Sequence, residues 1–266
     1  MSQTAKAEIF RNLHTGAEIL VLPNAWDAAS AAVMADAGAK AVATSSAAVA
    51  WAHGYPDGDA LPIEQVIATV AEVVRVVDVP VTADIEGGYT DDLGRLVENV
   101  TRVVEAGAVG INLEDGGGRS PELHAAKIEA IKKALGDRLF VNARTDVYLA
   151  GLAEGHAAYS ETIARAERYR AAGADGIFVP GPSDADLIGR LAGEIRLPLN
   201  VMGWTGVPDA GRLQALGVRR LSSATNPFRV AYAALAKAVE AFVRTGDPSA
   251  LAEAGAGAPA LQKRFG

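Results

Sequence analysis

The chain of 266 residues is 50% hydrophobic, 21% charged and 6% aromatic, which suffices for a full core and excludes disordered, collagen-like or miniature scaffolds. With 25 Lys and Arg against 32 Asp and Glu its formal charge is -7, which argues against a large non-specific nucleic-acid surface and leaves room only for a locally basic pocket. The absence of cysteine excludes disulfides, thiolate metal sites and a cysteine nucleophile or acid.

The N-terminal MSQTAKAEIFRNLHTG has neither an apolar run of signal-peptide length nor a transit pattern, and no stretch of roughly 18 apolar residues follows. A soluble, cytoplasmic protein with no membrane or nucleic-acid partner is expected.

From there, short β-branched runs alternate with longer segments of helical period. Strands are expected at Ile19 to Leu22, Ala41 to Thr44, Val79 to Asp84, Val109 to Leu113, Leu139 to Ala143, Gly176 to Val179, Leu197 to Met202 and Arg219 to Ser222. Helix starts are marked by Asp27, Pro62, Asp91 and Ser120-Pro121-Glu122. Further helices are expected at Ser160 to Ala172, Ser183 to Ala192, Pro208 to Leu216 and Pro227 to Thr245. DAGAKAV, EAGAVGI, AAGADGI and ALGVRRL repeat one device, a glycine ending a helix before an apolar run enters the sheet.

Eight parallel strands buried on both faces predict an α/β fold, a (β/α)8 TIM barrel over residues 1–245. A doubly wound sheet is the alternative, but no GxGxxG turn follows the first strand. Residues 246–266 are rich in Gly, Ala and Pro and read as a flexible end or an arm packing on a partner.

Barrel active sites lie at the C-terminal ends of the strands. There this sequence places Asn24-Ala25-Trp26-Asp27, Ser45-Ser46-Ala47, Asp84-Ile85-Glu86-Gly87-Gly88-Tyr89, Glu114-Asp115 and Arg144-Thr145-Asp146. Asp84 and Glu86, two apart on a strand, are expected to face one mouth, with Glu114 arriving from the next strand. Clustered carboxylates repel unless a cation neutralises them, and hard oxygen ligands without Cys select Mg²⁺ or Mn²⁺. The competing reading makes these acids helix caps or partners of Arg144.

Arg144 ends an apolar strand and needs an anion, either a substrate carboxylate or a glutamate neighbour. The Ser45-Ser46-Ala47 turn suits a carboxylate, although small residues at a strand end are also ordinary packing. His14, His124 and His156 read as surface groups, whereas His53, in the long loop after the second strand, is a candidate to line the site. Pocket size depends on which of Trp26, Trp51, Tyr148 and Trp204 point inward.

The runs TSSAAVAWAHGYPDG, TADIEGGY, INLEDG, NARTD and RYRAAGADGIF, in register from about Leu20 to Leu235, resemble the isocitrate lyase/phosphoenolpyruvate mutase superfamily. The resemblance implies a barrel whose last helix is exchanged between paired subunits, in a homodimer or homotetramer. It also implies Mg²⁺-dependent making or breaking of C–C or P–C bonds beside the carboxylate of a 2-oxo or 2-hydroxy acid. It further implies Asp84 as direct metal ligand, with Glu86 and Glu114 acting through metal-bound waters. Ser45, Ser46 and Ala47 would hold the substrate carboxylate, Arg144 would clamp an anionic group, and Asp57 matches the acid of the loop after the second strand.

The chain departs from that pattern in reading Asp-Ile-Glu where the superfamily has Asp-x-Asp. It carries only Asp115-Gly116-Gly117-Gly118-Arg119-Ser120-Pro121 in place of the longer catalytic loops of the lyase and mutase branches. It also has Phe178-Val179-Pro180-Gly181 where the phosphonate branch often has His. The short loop points to a less closed site.

The expected activity is a Mg²⁺-dependent lyase cleaving a C–C bond of small 2-oxo or 2-hydroxy carboxylic acids, by decarboxylation or by retro-aldol or retro-Claisen cleavage. Asp57, His53 or a metal-bound water would move the proton, and Trp26 and Tyr89 would touch the substrate. The alternatives are a P–C bond enzyme of the phosphoenolpyruvate mutase or phosphonopyruvate hydrolase type, and a non-catalytic barrel that binds a 2-oxo acid.

Overall fold

The computed structural model describes residues 1–116 and 119–266. In chain order the elements are α1 (Gln3–Thr15), β1 (Leu20–Leu22), β2 (Asn24–Ala25), α2 (Ala28–Asp36), β3 (Val42–Thr44), α3 (Ser46–Ala52), α4 (Ile63–Val76), β4 (Val81–Asp84), α5 (Leu93–Glu105), β5 (Gly110–Glu114), α6 (Pro121–Leu135) and β6 (Phe140–Arg144). They continue as α7 (Gly155–Ala171), β7 (Gly176–Val179), α8 (Ala185–Glu194), β8 (Leu199–Met202), α9 (Ala210–Ala215), β9 (Arg220–Ser222), α10 (Asn226–Thr245), α11 (Ser249–Gly255) and α12 (Leu261–Phe265).

All strand pairs are parallel, in the order β1-β9-β8-β7-β6-β5-β4-β3-β2. Because β1 and β2 are separated by Pro23 alone, they are two halves of one barrel strand, and the sheet returns to itself as a (β/α)8 barrel. Pro23 offers no N–H, so the strand changes partner there: β1 pairs with β9, and β2 with β3. Every strand expected from the sequence is present. The added element is the two-residue β2, hidden in sequence by its proline.

Capping chemistry sets the helix starts. Asp27 and Ser30 form a reciprocal capping box on α2, and Ser120 caps α6 ahead of Pro121. Helix α5 begins one residue later than its sequence suggested: Asp92 caps it, accepting from Arg95 N, while Asp91 pairs with the fully buried Lys127. Helix α3 occupies part of what read as a long loop, capped by Ser45, which accepts from Ala48 N.

Helix α1 closes the N-terminal end of the barrel, packing Phe10 against Leu20, Leu22, Val109 and Phe140. A Cβ at Gly110 would stand 2.7 Å from the Phe10 ring, so glycine is needed where this plug meets the sheet.

Two of the histidines expected at the surface are buried. His14 shares the inward face of α1 with Phe10 and stacks on Phe140, and His124 meets Tyr169 edge-on beneath α6. Only His156 is exposed as expected. Periodicity alone could not assign these faces, because His is acceptable on either.

Helix α10 lies on the outside with only Phe228 and Ala238 buried. Beyond it the small-residue tail is more regular than its composition suggested. It forms α11 and α12, and Arg264 reaches back to Asp36 and to the carbonyl of Val76. Among the described residues no helix is long and apolar enough to cross a membrane.

Candidate active site

At the C-terminal ends of the strands lies a cavity of about 550 Å³. Asn24, Ser45, Ser46, Ala47, Asp57, Asp84, Asn112 and Arg144 line one side of it, joined by aromatic and aliphatic side chains from the later loops. The expected carboxylate-seating turn, Asp57, Asp84 and Arg144 therefore share one chamber.

Asp84 ends β4. Its backbone N–H donates to Thr44 Oγ1 (2.9 Å), and its Oδ2 accepts from Ser46 Oγ (3.1 Å) and Ser46 N (3.3 Å). Its Oδ1 is buried with no partner. A carboxylate oxygen held out of water and left bare is costly unless a cation meets it.

The acids do not converge as the strand alternation implied. The strand ends at Asp84, and Glu86 takes a left-handed backbone (φ +51°) that turns its side chain out of the expected face. There Glu86 accepts from Gly58 N (2.7 Å), from Asp59 N and from Tyr89 OH (3.0 Å). Glu114 is instead ion-paired to Arg144 at 2.6 Å. Among the described residues no three acids or histidines already form a metal cage.

The electrostatics still fit a hydrated, oxygen-ligated divalent ion. Burial pushes the Glu86 carboxyl up to about 7, helped by Asp57 and Asp84 against its hydrogen bonds. Burial likewise pushes Glu114 up to about 8; Arg144 opposes this, while Asp84, Asp146 and Glu86 add to it. Among these acids Asp84 alone keeps a carboxylate oxygen without a partner for an ion to meet, whereas Glu86 is held by backbone N–H groups and Glu114 by Arg144.

Arg144 is charged despite its burial, because Glu114, Asp146 and Asp84 outweigh the cost of desolvation. Of the two partners anticipated for this cation, a substrate carboxylate or a glutamate neighbour, the structure shows the glutamate, Glu114, and adds Asp146, a partner that sequence reasoning missed. Asp57 sits on the loop after α3, open to solvent as a residue. Crowding by the surrounding protein, and then the charge of Asp84, raise its carboxyl above the usual range.

Other expected site residues stand apart from the chamber. His53 caps the C-terminal end of α3 at the surface, its Nδ1 2.9 Å from the Val49 carbonyl, and does not line the cavity. Trp26 meets Phe228 edge-on at 5.3 Å and helps anchor α10, whereas Trp51 reaches both Phe228 and the cavity. Tyr89 faces a small adjacent void with Ser46 and Asp84 rather than the main chamber.

Two networks escaped the sequence reading. Below the mouth, Asn142 Nδ2 donates to Asn112 Oδ1 (2.9 Å), Arg220 Nη2 donates to the same oxygen (3.0 Å), and Asn200 Nδ2 donates to Ser222 Oγ (3.0 Å). The signal was an asparagine recurring in GINLE, FVNAR and LNVM, and Asn112 and Asn142 are in register. At the rim, Asp59 accepts from Gly87 N, Tyr89 N and Arg119, and Arg119 and Lys127 both meet Asp91. Gly117 and Gly118 of the short loop lie outside the described residues.

A parallel barrel with carboxylates, a buried arginine and a serine turn at its C-terminal mouth is the architecture of a small-molecule enzyme site. The sequence pattern of the Phosphoenolpyruvate phosphomutase family matches residues 10–243, so the chain belongs to that family, within the isocitrate lyase/phosphoenolpyruvate mutase superfamily.

An uncharacterised protein of Mycobacterium tuberculosis H37Rv is 38% identical over 87% of this chain and 88% of its own. The 2-methylisocitrate lyase of Halalkalibacterium halodurans is 30% identical over 86% of this chain and 79% of its own. A Burkholderia cenocepacia J2315 protein of known crystal structure, provisionally assigned as a phosphonomutase, is 41% identical. It covers 88% of this chain and 99% of its own with a TM-score of 0.84. The superfamily thus holds both C–C lyases and P–C mutases.

Proposed function

We propose that this protein is a Mg²⁺-dependent lyase that breaks a C–C bond in 2-oxo or 2-hydroxy carboxylic acids, by decarboxylation or retro-aldol type cleavage. One observation carries the reading: Asp84, whose Oδ1 is buried without a hydrogen-bond partner, lines a chamber shared with Arg144 and the Ser45–Ala47 turn. Asp84 would hold the ion, with Glu86 and Glu114 behind it through water. When bound, Mg²⁺ supplies an electron sink beside the bond that breaks.

The chain's own groups do the rest. Ser45, Ser46 and Ala47 seat the substrate carboxylate, and Arg144, fixed by Glu114 and Asp146, presents charge to the oxygen that becomes anionic. Asp57, whose affinity for a proton is raised by burial and by the charge of Asp84, delivers or removes the proton at the carbon released. Conversion of a panel of such acids with and without EDTA tests the proposal; turnover indifferent to chelation would refute it.

A P–C bond activity is the second reading, favoured by the 41% identity to the Burkholderia protein. Release of phosphate or phosphoenolpyruvate from phosphonopyruvate would distinguish it. A binding barrel without turnover is the third, and a metal-dependent rate abolished by Asp84→Ala would exclude it.

We further propose that copies pair by exchanging α10. Its outer face leaves Val230 71% and Val243 76% exposed, and a groove of about 660 Å³ beside β1, where Val21 is 53% exposed, is free to receive such a helix. A cytoplasmic location, for a protein acting on small metabolic acids, belongs to the same proposal.

A further inference from the structure

The polar and apolar parts of the chamber are unequal. Asn24, Ser45, Ser46, Asp57, Asp84 and Arg144 gather where the carboxylate and the reacting centre would lie. The remaining wall carries its bulk in Trp51, Leu149, Phe178, Met202, Trp204 and Val207, with the small hydroxyls of Ser183, Thr205, Ser222 and Thr225 between them. Trp51, Leu149 and Trp204 remain 39%, 48% and 42% exposed, so large apolar side chains stand open to solvent around one cavity.

Among the described lining residues the one cation is Arg144, and its guanidinium is already matched by Glu114 and Asp146. Arg229 lies outside that lining, over the Trp204 ring at 5.3 Å. A volume of about 550 Å³ falls in the range of roughly 300–1,000 Å³ that holds drug-sized ligands, well beyond the needs of a three-carbon acid.

We infer that the substrate carries an apolar alkyl or aryl substituent on the reacting acid, seated against Trp51, Phe178, Met202 and Trp204, and carries no further carboxylate at that end. A distal carboxylate set against this wall would trade water for apolar side chains and meet no cation of the lining that is not already paired. A hydrocarbon arm gains from the same burial. This inference rests on the reading of the site as one for 2-oxo or 2-hydroxy acids and goes beyond it by fixing the substituent.

Binding rather than turnover tests it. The intrinsic fluorescence of the protein with Mg²⁺ is titrated with pyruvate, 2-oxohexanoate, phenylpyruvate and 2-oxoglutarate. Affinity is expected to rise roughly fourfold per added methylene from pyruvate to 2-oxohexanoate, with phenylpyruvate also tighter than pyruvate and 2-oxoglutarate weaker than 2-oxohexanoate. Trp204→Ala should weaken 2-oxohexanoate about tenfold more than pyruvate, and Met202→Lys should turn the preference toward 2-oxoglutarate.

Equal or tighter binding of 2-oxoglutarate in the unaltered protein overturns the inference while leaving the acid site intact, as does an equal effect of Trp204→Ala on all ligands. If none of the four acids binds, pyruvate included, the underlying site reading falls and takes this inference with it.

Discussion

Arg144 and Asp146, two residues apart at the end of β6, are joined by a fork: Nε lies 2.6 Å from Oδ1 and Nη2 lies 2.8 Å from Oδ2. The third nitrogen of the same guanidinium, Nη1, is thereby aimed at Glu114, 2.6 Å away. A planar guanidinium can satisfy both carboxylates at once, and a lysine ammonium cannot. Arg144→Lys is therefore expected to fold but to lose about 100-fold or more in kcat/KM, read by steady-state assay. Arg144→Met should cost about 3–5 kcal/mol in urea unfolding, because it leaves two buried carboxylates unpaired.

Asp84 is expected to be indispensable for metal binding. Asp84→Asn should abolish calorimetrically detected Mg²⁺ binding and lower activity about 1,000-fold or more. Ser46→Ala removes one of the groups that orient Asp84, so the Mg²⁺ concentration for half-maximal activity should rise roughly 10–100-fold. Unchanged Mg²⁺ titrations in both variants would remove Asp84 from the metal site.

The two buried histidines predict acid lability. Burial, and then Arg220, lower His14 to about 3, and burial lowers His124 to about 4 in spite of Asp115. With native values below the unfolded one, their stabilising effect is complete above about pH 6.5 and is lost as pH falls through that value, at roughly 1.4 kcal/mol per unit for each.

Glu86 and Glu114, raised in the native state, slope the other way in the metal-free protein, losing their contribution as pH rises toward about 7 and 8. The histidine part is therefore read as a difference. His124→Phe keeps the aromatic edge on Tyr169 and gives up no hydrogen bond, since neither ring nitrogen has a partner. Relative to its value at pH 7, the variant's stability advantage over the parent should grow by about 2 kcal/mol at pH 5 in chemical unfolding.

These histidines also mark where sequence reading reached its limit. The barrel was legible because a buried parallel strand must be an apolar run and most helices announce their ends with Asp, Ser, Pro or Gly; α7, which starts uncapped at Gly155 and not at the expected Ser160, is an exception. Asp84, Arg144 and the Ser45 turn were legible because they sit where those runs stop. Glu86 was misplaced because alternation holds only while a strand lasts, and a single left-handed residue after Asp84 redirected it. His53 and Trp26 were drawn into the site by proximity in sequence, whereas α3 carries His53 to its far end and Phe228 draws Trp26 to α10. Asp59, Asp91 and Arg119 come together, with Lys127 of α6 beneath them, only when three loops are folded over one another, which no local pattern encodes.

The exposed apolar face of α10 leads to a prediction on assembly. Leu235→Asp combined with Val243→Asp should convert an oligomer to single chains in light scattering, because neither residue supports the barrel's own core. An unaltered oligomer would place the subunit contact elsewhere.

Asp59 fastens the stretch that bears Asp57 to Gly87, Tyr89 and Arg119 together, and Glu86 grips the same stretch from beneath. That bank of the entrance behaves as masonry. Exchange of reactant and product is therefore expected over the opposite, Trp204-bearing shore, and a crystal whose lattice immobilised the Asp57 bank should still turn over substrate soaked in from its mother liquor.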